Sequence, residues 1–443
     1  MDALRSSGGP AALVLAALLL ALGVGWLVPQ TPLIALAAAG AVLLLGLVAV
    51  DAALVPLLFL PLLYVTYRVG GGGVDLSVSD LALGLGTIPA LVFARRPYSR
   101  PMRQILWFTA IYQTSTLFTV IANPYLANGV EWVHAWFLIG GALIYGWAIG
   151  RGGHGRTGML LLLATACVLS LFVVARGLIS LAQGTFGPVE LGYGMQKNFL
   201  GTVLAMTALI AYVRPRWLQL QPHLAAGIFW LLAAAVGFTQ SRQAIIALGI
   251  VLAILVLRSN TDRRRSKLIL LVVIPAAVVV GTLVQEQSKS GNQFNSYFQR
   301  LTWFGDAIEI WSTQPLVGVG LRYWYTGRYP AFQPPNAEIE VLASAGLIGL
   351  AGFVVLMIGC VYVLWRVPPE YGLLAVLAVL SRFIQGQFDL FWVASQCSIP
   401  FVIAGICLGV QALHDDEGGT LLAQDATMDG ARHPGATAGA VSS

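Results

Sequence analysis

The sequence predicts an all-α, polytopic transmembrane helical bundle of about 12 to 14 spans, with one large extracytoplasmic loop containing short amphipathic helices. Three observations predict it. Hydrophobic residues make up 58% and charged residues 10% of the 443-residue chain, and mean hydropathy is +0.80, far from the balance of a soluble globular domain. Apolar runs approaching the roughly 20 residues needed to cross a hydrocarbon core recur from Ala11 almost to Gln411. Basic residues collect in alternate connections between those runs.

Taken in order, the runs predict helices near residues 10–28, 31–50, 52–68, 77–94, 104–122, 131–149, 157–182, 197–213, 223–239, 242–257, 267–285, 340–365, 371–387 and 390–411. The first reads as a retained helix rather than a signal peptide, because a second apolar run begins at Leu33 with no convincing cleavage site between. Val55 to Leu63 is interrupted by prolines and reads as re-entrant or kinked. Residues 1–412 are therefore expected to form one membrane domain, with an extracytoplasmic loop at about 286–339. Within that loop, "RLTWFGDAIEIW" repeats Leu301, Phe304, Ile308 and Trp311 at helical spacing. This pattern predicts an amphipathic helix on the membrane surface or on the bundle top. Residues 413–443, with "DDEGG" and then Gly, Ala, Thr and Ser, are too poor in apolar content to fold and read as a disordered cytoplasmic tail.

The net charge of +6 is almost all arginine, the lysines being Lys197, Lys267 and Lys289. Arg95, Arg96, Arg100 and Arg103 share one connection; Arg151 and Arg156, Arg214 and Arg216, Arg258 with Arg263, Arg264, Arg265 and Lys267, and Arg366 occupy others, each two spans on. The positive-inside bias puts these connections and both termini in the cytoplasm. It explains the basic balance without nucleic acid. Cys167, Cys360, Cys397 and Cys407 sit inside apolar runs, without the spacing of a disulfide framework or a metal site. "GVGLRYWYTG" has no Lys-Ser or Lys-Thr after it and is no phosphate loop. Chemistry is thus expected on the outer face, without ATP and without a cofactor.

That face receives the polar residues worth singling out. Arg242, beside Ser241 in "TQSRQAIIALGIVLAILV", opens a span from outside, against the positive-inside bias. It is either a snorkelling anchor or a functional group. Arg300 and Arg322 are either solvated loop charges or, with Arg242, an anion site, since guanidinium forks match phosphate oxygens. Lys197 and Asn198 open another span, where a positive helix terminus suits phosphate and where Asn198 is alternatively an N-cap. Glu338 and Glu340 stand at the head of "PPNAEIEVLASAGLIGL", where carboxylates favour the helix dipole. Two residues apart, they face different sides, one to orient an arginine and the other to cap or to assist proton transfer.

In order along the chain, "TQSRQAIIALGIVLA", "RLTWFGDAIEIWSTQPLVGVGLRYW" and "PPNAEIEVLASAGLIGL" resemble the bacterial O-antigen ligase and polymerase superfamily, with "SVSDLALGL" at Ser77 and "MQKNFLG" at Met195 as weaker matches. The resemblance implies a metal-independent, inverting glycosyltransferase in the bacterial cytoplasmic membrane. Its donor would be a polyprenyl-diphosphate-linked glycan, and its acceptor a hydroxyl of a glycan, lipid or protein. It further implies that Arg242 and Arg300 hold the diphosphate. One departure stands out: the family's His-Asn is Pro335-Asn336 here, and proline accepts no proton. Glu340, which matches the family glutamate, is the first substitute base and Glu338 the second. His134, three residues after Glu131, is a third; His154, His223 and His414 fall on the cytoplasmic side.

Two rival readings remain at this stage: a lipid-linked glycan transporter or flippase, and a cell-wall glycan polymerase. The first predicts internal repeats, and the sequence has no clear one. Arg382, Gln385, Gln387 and Asp389 cluster near the outer end of the last hairpin and suit either a conduit or an acceptor cleft.

Overall fold

The computed structural model describes residues 39–40, 43–44, 46–69, 76–185, 187–257, 296–329 and 332–432. The expected spans near 10–28 and 267–285, and much of that near 31–50, lie outside them. The described chain is helical apart from loops and one two-residue antiparallel pairing, β1 (Arg68–Val69) with β2 (Leu76–Ser77). Helix α1 (Leu54–Phe59) tightens into a 3-10 turn over Leu60–Tyr64, where Pro61 rules out a regular continuation. Ser77 then starts α2 (Val78–Phe93) with a capping box: its Oγ accepts from the Asp80 N–H at 3.2 Å and Asp80 Oδ2 accepts from the Ser77 N–H at 2.9 Å. Helix α3 (Arg100–Ala122) is capped by Ser99, with proline in its first turn.

Helix α4 (Leu126–Trp136) runs through a wide turn at Phe137–Gly141 into α5 (Ala142–Ile149). Gly153, at φ +87°, separates this run from α6 (Gly155–Ala182). There follow α7 (Lys197–Val213), α8 (Pro222–Thr239), α9 (Arg242–Leu257), α10 (Ser296–Thr313), α11 (Ala337–Arg366), α12 (Pro369–Gly386) and α13 (Ala394–Arg432). Among the described residues, five helical runs are long and apolar enough to cross a membrane, and α2, α7 and α9 are shorter apolar helices. The chain is an all-α polytopic membrane protein. Trp107 at 70%, Ile121 at 68% and Ile358 at 65% exposure show an outer surface suited to lipid rather than water.

The centre of the bundle is the pair α5 and α13, and glycine lets them touch. A Cβ at Gly146 would stand 2.1 Å from the Val402 carbonyl oxygen and one at Gly150 2.3 Å from that of Ile406; Gly405 and Gly409 stand likewise against Leu143 and Trp147. Two small-xxx-small stripes therefore face each other, the arrangement that gives close backbone approach where lipid supplies no hydrophobic drive. Gly405→Ala is expected to push the helices apart and cost about 1–3 kcal/mol. A lowered melting temperature in detergent checks this, and an unchanged one would mean that the contact is looser than described.

The connections sort to two ends. Arg95, Arg96, Arg151, Arg214, Arg216 and Arg366 lie at connections or helix ends on one side of the alternating path; this is the arginine end. The other, the loop end, carries the head of α2, the α3–α4, α6–α7 and α8–α9 connections, α10, the head of α11 and the α12–α13 connection. Helix α13 continues past residue 412 to Arg432. The start of the expected unfolded tail is helical instead, tied at the arginine end where Tyr371 Oη meets His414 Nδ1 at 2.7 Å and Arg151 meets Asp416.

Helix α10 forms where "RLTWFGDAIEIW" predicts it, but the expected stripe is not its buried face. Ala307 and Ile310 pack with Val319, Tyr323 and Ala343, while Leu301 is 49% and Ile308 43% exposed. The small side chain of Ala307 permits close approach beside Ile310, while Leu301 and Ile308 remain outward, as on a surface-lying helix.

Helix α11 is not continuous. Gly346, at φ +66° and ψ −167°, breaks it into a short head and a long span. The loop Pro315–Gly320 occupies the break: the N–H groups of Val319 and Gly320 donate to the Ala343 and Ser344 carbonyls, and those of Leu347 and Ile348 donate to the Pro315 and Leu316 carbonyls, at 2.9–3.2 Å. Backbone groups that a broken helix leaves open are thus satisfied within the protein.

Candidate functional site

Three polar clusters face one another at the loop end. The first forms where α9 begins. Arg242 is its first residue, and Ser241 Oγ donates to Asn198 Oδ1 at 3.5 Å across to the first turn of α7. Gln196 precedes α7 without a side-chain cap, so Asn198 is a residue of the helix and not its N-cap. Lys197 opens α7, its N–H directed at Glu190 Oε1 at 3.5 Å. Gln243, 4% exposed, donates from Nε2 to Asp389 Oδ2 at 2.5 Å.

Arg300 reaches this cluster from α10, its Nη1 donating to the Phe388 carbonyl at 2.8 Å. Burial pushes the Arg300 guanidinium below its ordinary pKa, Asp389 opposes that and Arg242 adds to it by like-charge repulsion. Two guanidinium groups close enough to repel, with the Asp389 carboxylate offsetting Arg300, make the kind of pairing that suits an anion.

The second cluster sits between α2 and α4. His134 Nε2 meets Asp80 Oδ1 at 2.9 Å and its Nδ1 lies 3.4 Å from Glu131 Oε2, while Arg322 Nε donates to that same oxygen at 2.5 Å. Arg322 also lies over the Tyr325 ring at 5.4 Å. The structure therefore brings Arg300 to Arg242 and commits Arg322 to Glu131. His134 is held between two carboxylates, an arrangement that orients an imidazole firmly.

The third cluster is the head of α11. Asn336 caps it, its Oδ1 accepting from the Ile339 N–H at 3.0 Å. Glu338 Oε1 accepts from Gln387 Nε2 at 2.7 Å and Glu340 Oε1 from Gln333 Nε2 at 2.8 Å. The two glutamates do take different sides, Glu338 half-buried and Glu340 1% exposed. Arg382 supplies the opposing charge near Glu340, and Glu131 lies close enough to repel it. Tyr323, 0% exposed, is kept protonated by burial, with Glu340 and Asp306 reinforcing the upward shift.

Sequence reasoning passed over Asp80 and Gln243, and it placed Arg382 and Asp389 only as members of a cluster. A signal was present: in a chain with 19 acidic residues, a carboxylate beside an apolar span needs a partner. The partner itself, set by tertiary packing, was not readable.

Residues 227–354 match the family model described as O-antigen ligase. No curated protein matches the chain. The matched segment holds Ser241, Arg242, Arg300, Arg322, Asn336, Glu338 and Glu340, and over it the likeness to the O-antigen ligase and polymerase superfamily is borne out. Lys197, Asn198, His134, Arg382 and Asp389 lie outside it.

Proposed function

We propose that this chain is a membrane glycosyltransferase that moves a glycan from a polyprenyl-diphosphate carrier to an acceptor hydroxyl on the outer face of a bacterial cytoplasmic membrane, as ligase or polymerase. The observation that carries the reading is the meeting of Arg242 and Arg300 with Asp389 and Gln243 at the loop end, the first two and Gln243 lying within the segment that matches an O-antigen ligase. The arginine end, by the positive-inside bias, is cytoplasmic in this proposal, which turns the loop end outward.

In the proposed reaction the acceptor oxygen attacks the anomeric carbon as the bond to the diphosphate oxygen breaks, inverting that carbon. Arg242 and Arg300 offset the charge gathering on the departing diphosphate, and Lys197 at the head of α7 adds to the field. The acceptor proton passes to a carboxylate at the head of α11. Each glutamate has Oε1 held by a glutamine and Oε2 buried without a hydrogen-bond partner among the described residues, so a hydroxyl reaches Glu338 once Gln387 moves aside and Glu340 once Gln333 does. Asn336, joined to Gln387 at 3.3 Å, fixes the height of that head. Nothing in this scheme needs a metal ion.

A transporter of lipid-linked glycans is the second reading, and the broken helix α11 favours it, because transporters bind cargo at discontinuous helices. Here, however, loop Pro315–Gly320 already occupies the break, and that favours the enzyme. Purified full-length protein given a short-chain polyprenyl-diphosphate glycan and a panel of acceptors is expected to release polyprenyl diphosphate. Arg242→Ala is expected to bind the donor more weakly and to turn over about 10²–10³-fold more slowly. Donor bound or moved across a vesicle but never cleaved, with every acceptor tried, would overturn the enzyme in favour of the transporter.

A further inference from the structure

One stretch outside the matched segment ties the first and third clusters of the site together. Gln387 donates to Glu338, and its carbonyl and Oε1 accept from Asn336 Nδ2 at 3.3 and 3.4 Å. The Phe388 carbonyl accepts from Arg300, and the Asp389 carboxylate from Gln243. Leu390 and Phe391 offer their carbonyls to one donor, Nη2 of Arg382, at 2.6 Å for Leu390. Five consecutive residues thus connect the head of α11, the arginine of α10 and the first turn of α9. The guanidinium of Arg382 fixes the end of the loop, beside the Phe391 N–H directed at the Glu340 carboxylate and the Phe388 N–H bonded to the Gln385 carbonyl.

Arg382 lies in the last turns of α12 and is 0% exposed. Its Nη1 donates to Gln396 Oε1 at 3.2 Å in the first turn of α13, and its guanidinium carbon stands 4.9 Å from the centre of the Phe391 ring. Asp389 and Glu340 supply the opposing charge near it. A buried cation is expensive where a neutral donor could satisfy one carbonyl. What the planar fork adds is simultaneous hold on two successive loop carbonyls and on the next helix, with a ring beneath it.

We propose that Arg382 is a positioning residue of the glycan-transfer site: by holding the Leu390 and Phe391 carbonyls it sets where Asp389 and Gln387 stand, and through them the placement of Arg300 and Glu338. This rests on the function proposed above. Arg382 does not itself touch donor or acceptor. It acts on both, because the loop it holds is the wall shared by the arginine pair and the head of α11.

The experiment compares full-length wild type, Arg382→Lys, Gln396→Leu, Asp389→Asn and the Arg382→Lys/Asp389→Asn double variant in detergent. It measures melting temperature, binding of geranylgeranyl diphosphate and glycan transfer per folded molecule. Lysine keeps the charge and loses the fork; Arg382→Lys is expected to slow transfer roughly 10²-fold per folded molecule, as a displacement of about 1 Å does. The double variant is expected to be no slower than Asp389→Asn alone, since both act through one loop. Gln396→Leu frees Nη1 while leaving the charge and the loop sequence intact, and is expected to slow transfer in the same direction. Should Arg382→Lys fail to fold, Gln396→Leu decides: slowed transfer supports the proposal and wild-type transfer overturns it. Wild-type binding and transfer in folded Arg382→Lys, or losses that multiply in the double variant, would reduce Arg382 to a structural anchor. A wild type that neither binds the diphosphate nor transfers glycan sinks the proposed function itself, a result distinct from these.

Discussion

Gly346→Ala is expected to leave little folded protein. At φ +66° and ψ −167° the position lies in a region that is essentially glycine's alone. An alanine Cβ there would also stand 2.4 Å from the carbonyl carbon and oxygen of Leu316, both backbone atoms that cannot turn aside. Relief requires loop Pro315–Gly320 to leave the break, and with it go the bonds from Val319, Gly320, Leu347 and Ile348. Each unmade buried bond costs about 1–3 kcal/mol, so the four together reach the roughly 4–5 kcal/mol that marks an exceptional substitution even at the low end of that range. Gly318→Ala is expected to match it, because its Cβ would meet the Ser344 carbonyl at 2.4 Å from the other side. Yield of monodisperse protein and melting temperature report the result. A Gly346→Ala protein that melts like wild type would mean that the loop does not occupy the break.

The break also explains how far the sequence carried the fold. Composition and the spacing of apolar runs were enough for an all-α membrane bundle, because span length is dictated by bilayer thickness and needs no knowledge of partners. The run from residue 340 to 365 reads as one helix for the same reason: Gly346 is a single glycine in an apolar stretch, and hydropathy does not register its φ. The glycines of α5 and α13 were equally silent. Gly146 and Gly150 matter only because Gly405 and Gly409, more than 250 residues on, arrive opposite them.

At the site the same division holds. Arg242 and Arg300 were legible as residues whose charge is costly at the edge of an apolar span, and the fold does bring them within range of each other. Arg322 carried the same signal and went elsewhere, to Glu131 on α4, 191 residues away in sequence. A charge announces that it needs a partner; only packing chooses which one. Asp80 makes the point from the other side, one oxygen closing a capping box that the sequence "SVSD" encodes locally and the other meeting His134 across 54 residues.

In the proposed reaction the largest catalytic effect is expected at the head of α11, where Pro335 stands in place of the histidine that the resemblance implies and a carboxylate is proposed to take the proton. Glu338→Gln and Glu340→Gln keep size and hydrogen-bonding capacity while removing the base, so whichever residue serves is expected to lose about 10²–10⁴-fold in transfer with donor binding retained. The geometry separates the two. Glu338 is half-buried with Oε1 on Gln387; Glu340 is 1% exposed with Oε1 on Gln333 and Arg382 as an offsetting charge; Oε2 of each is buried without a hydrogen-bond partner among the described residues. If Glu340 is the base, Gln333→Ala uncovers it and is expected to change the Michaelis constant for acceptor while leaving donor affinity alone. If Glu338 is the base, Gln333→Ala is expected to be nearly silent and Glu340→Gln to act through stability instead, since a neutral side chain beside Arg382 leaves a buried cation less well offset. Single-turnover transfer in the two glutamine variants, each measured with bound donor, distinguishes these outcomes. Full rates in both would move proton acceptance away from the head of α11, to His134 held between Asp80 and Glu131 or to Asp389 beside the arginine pair.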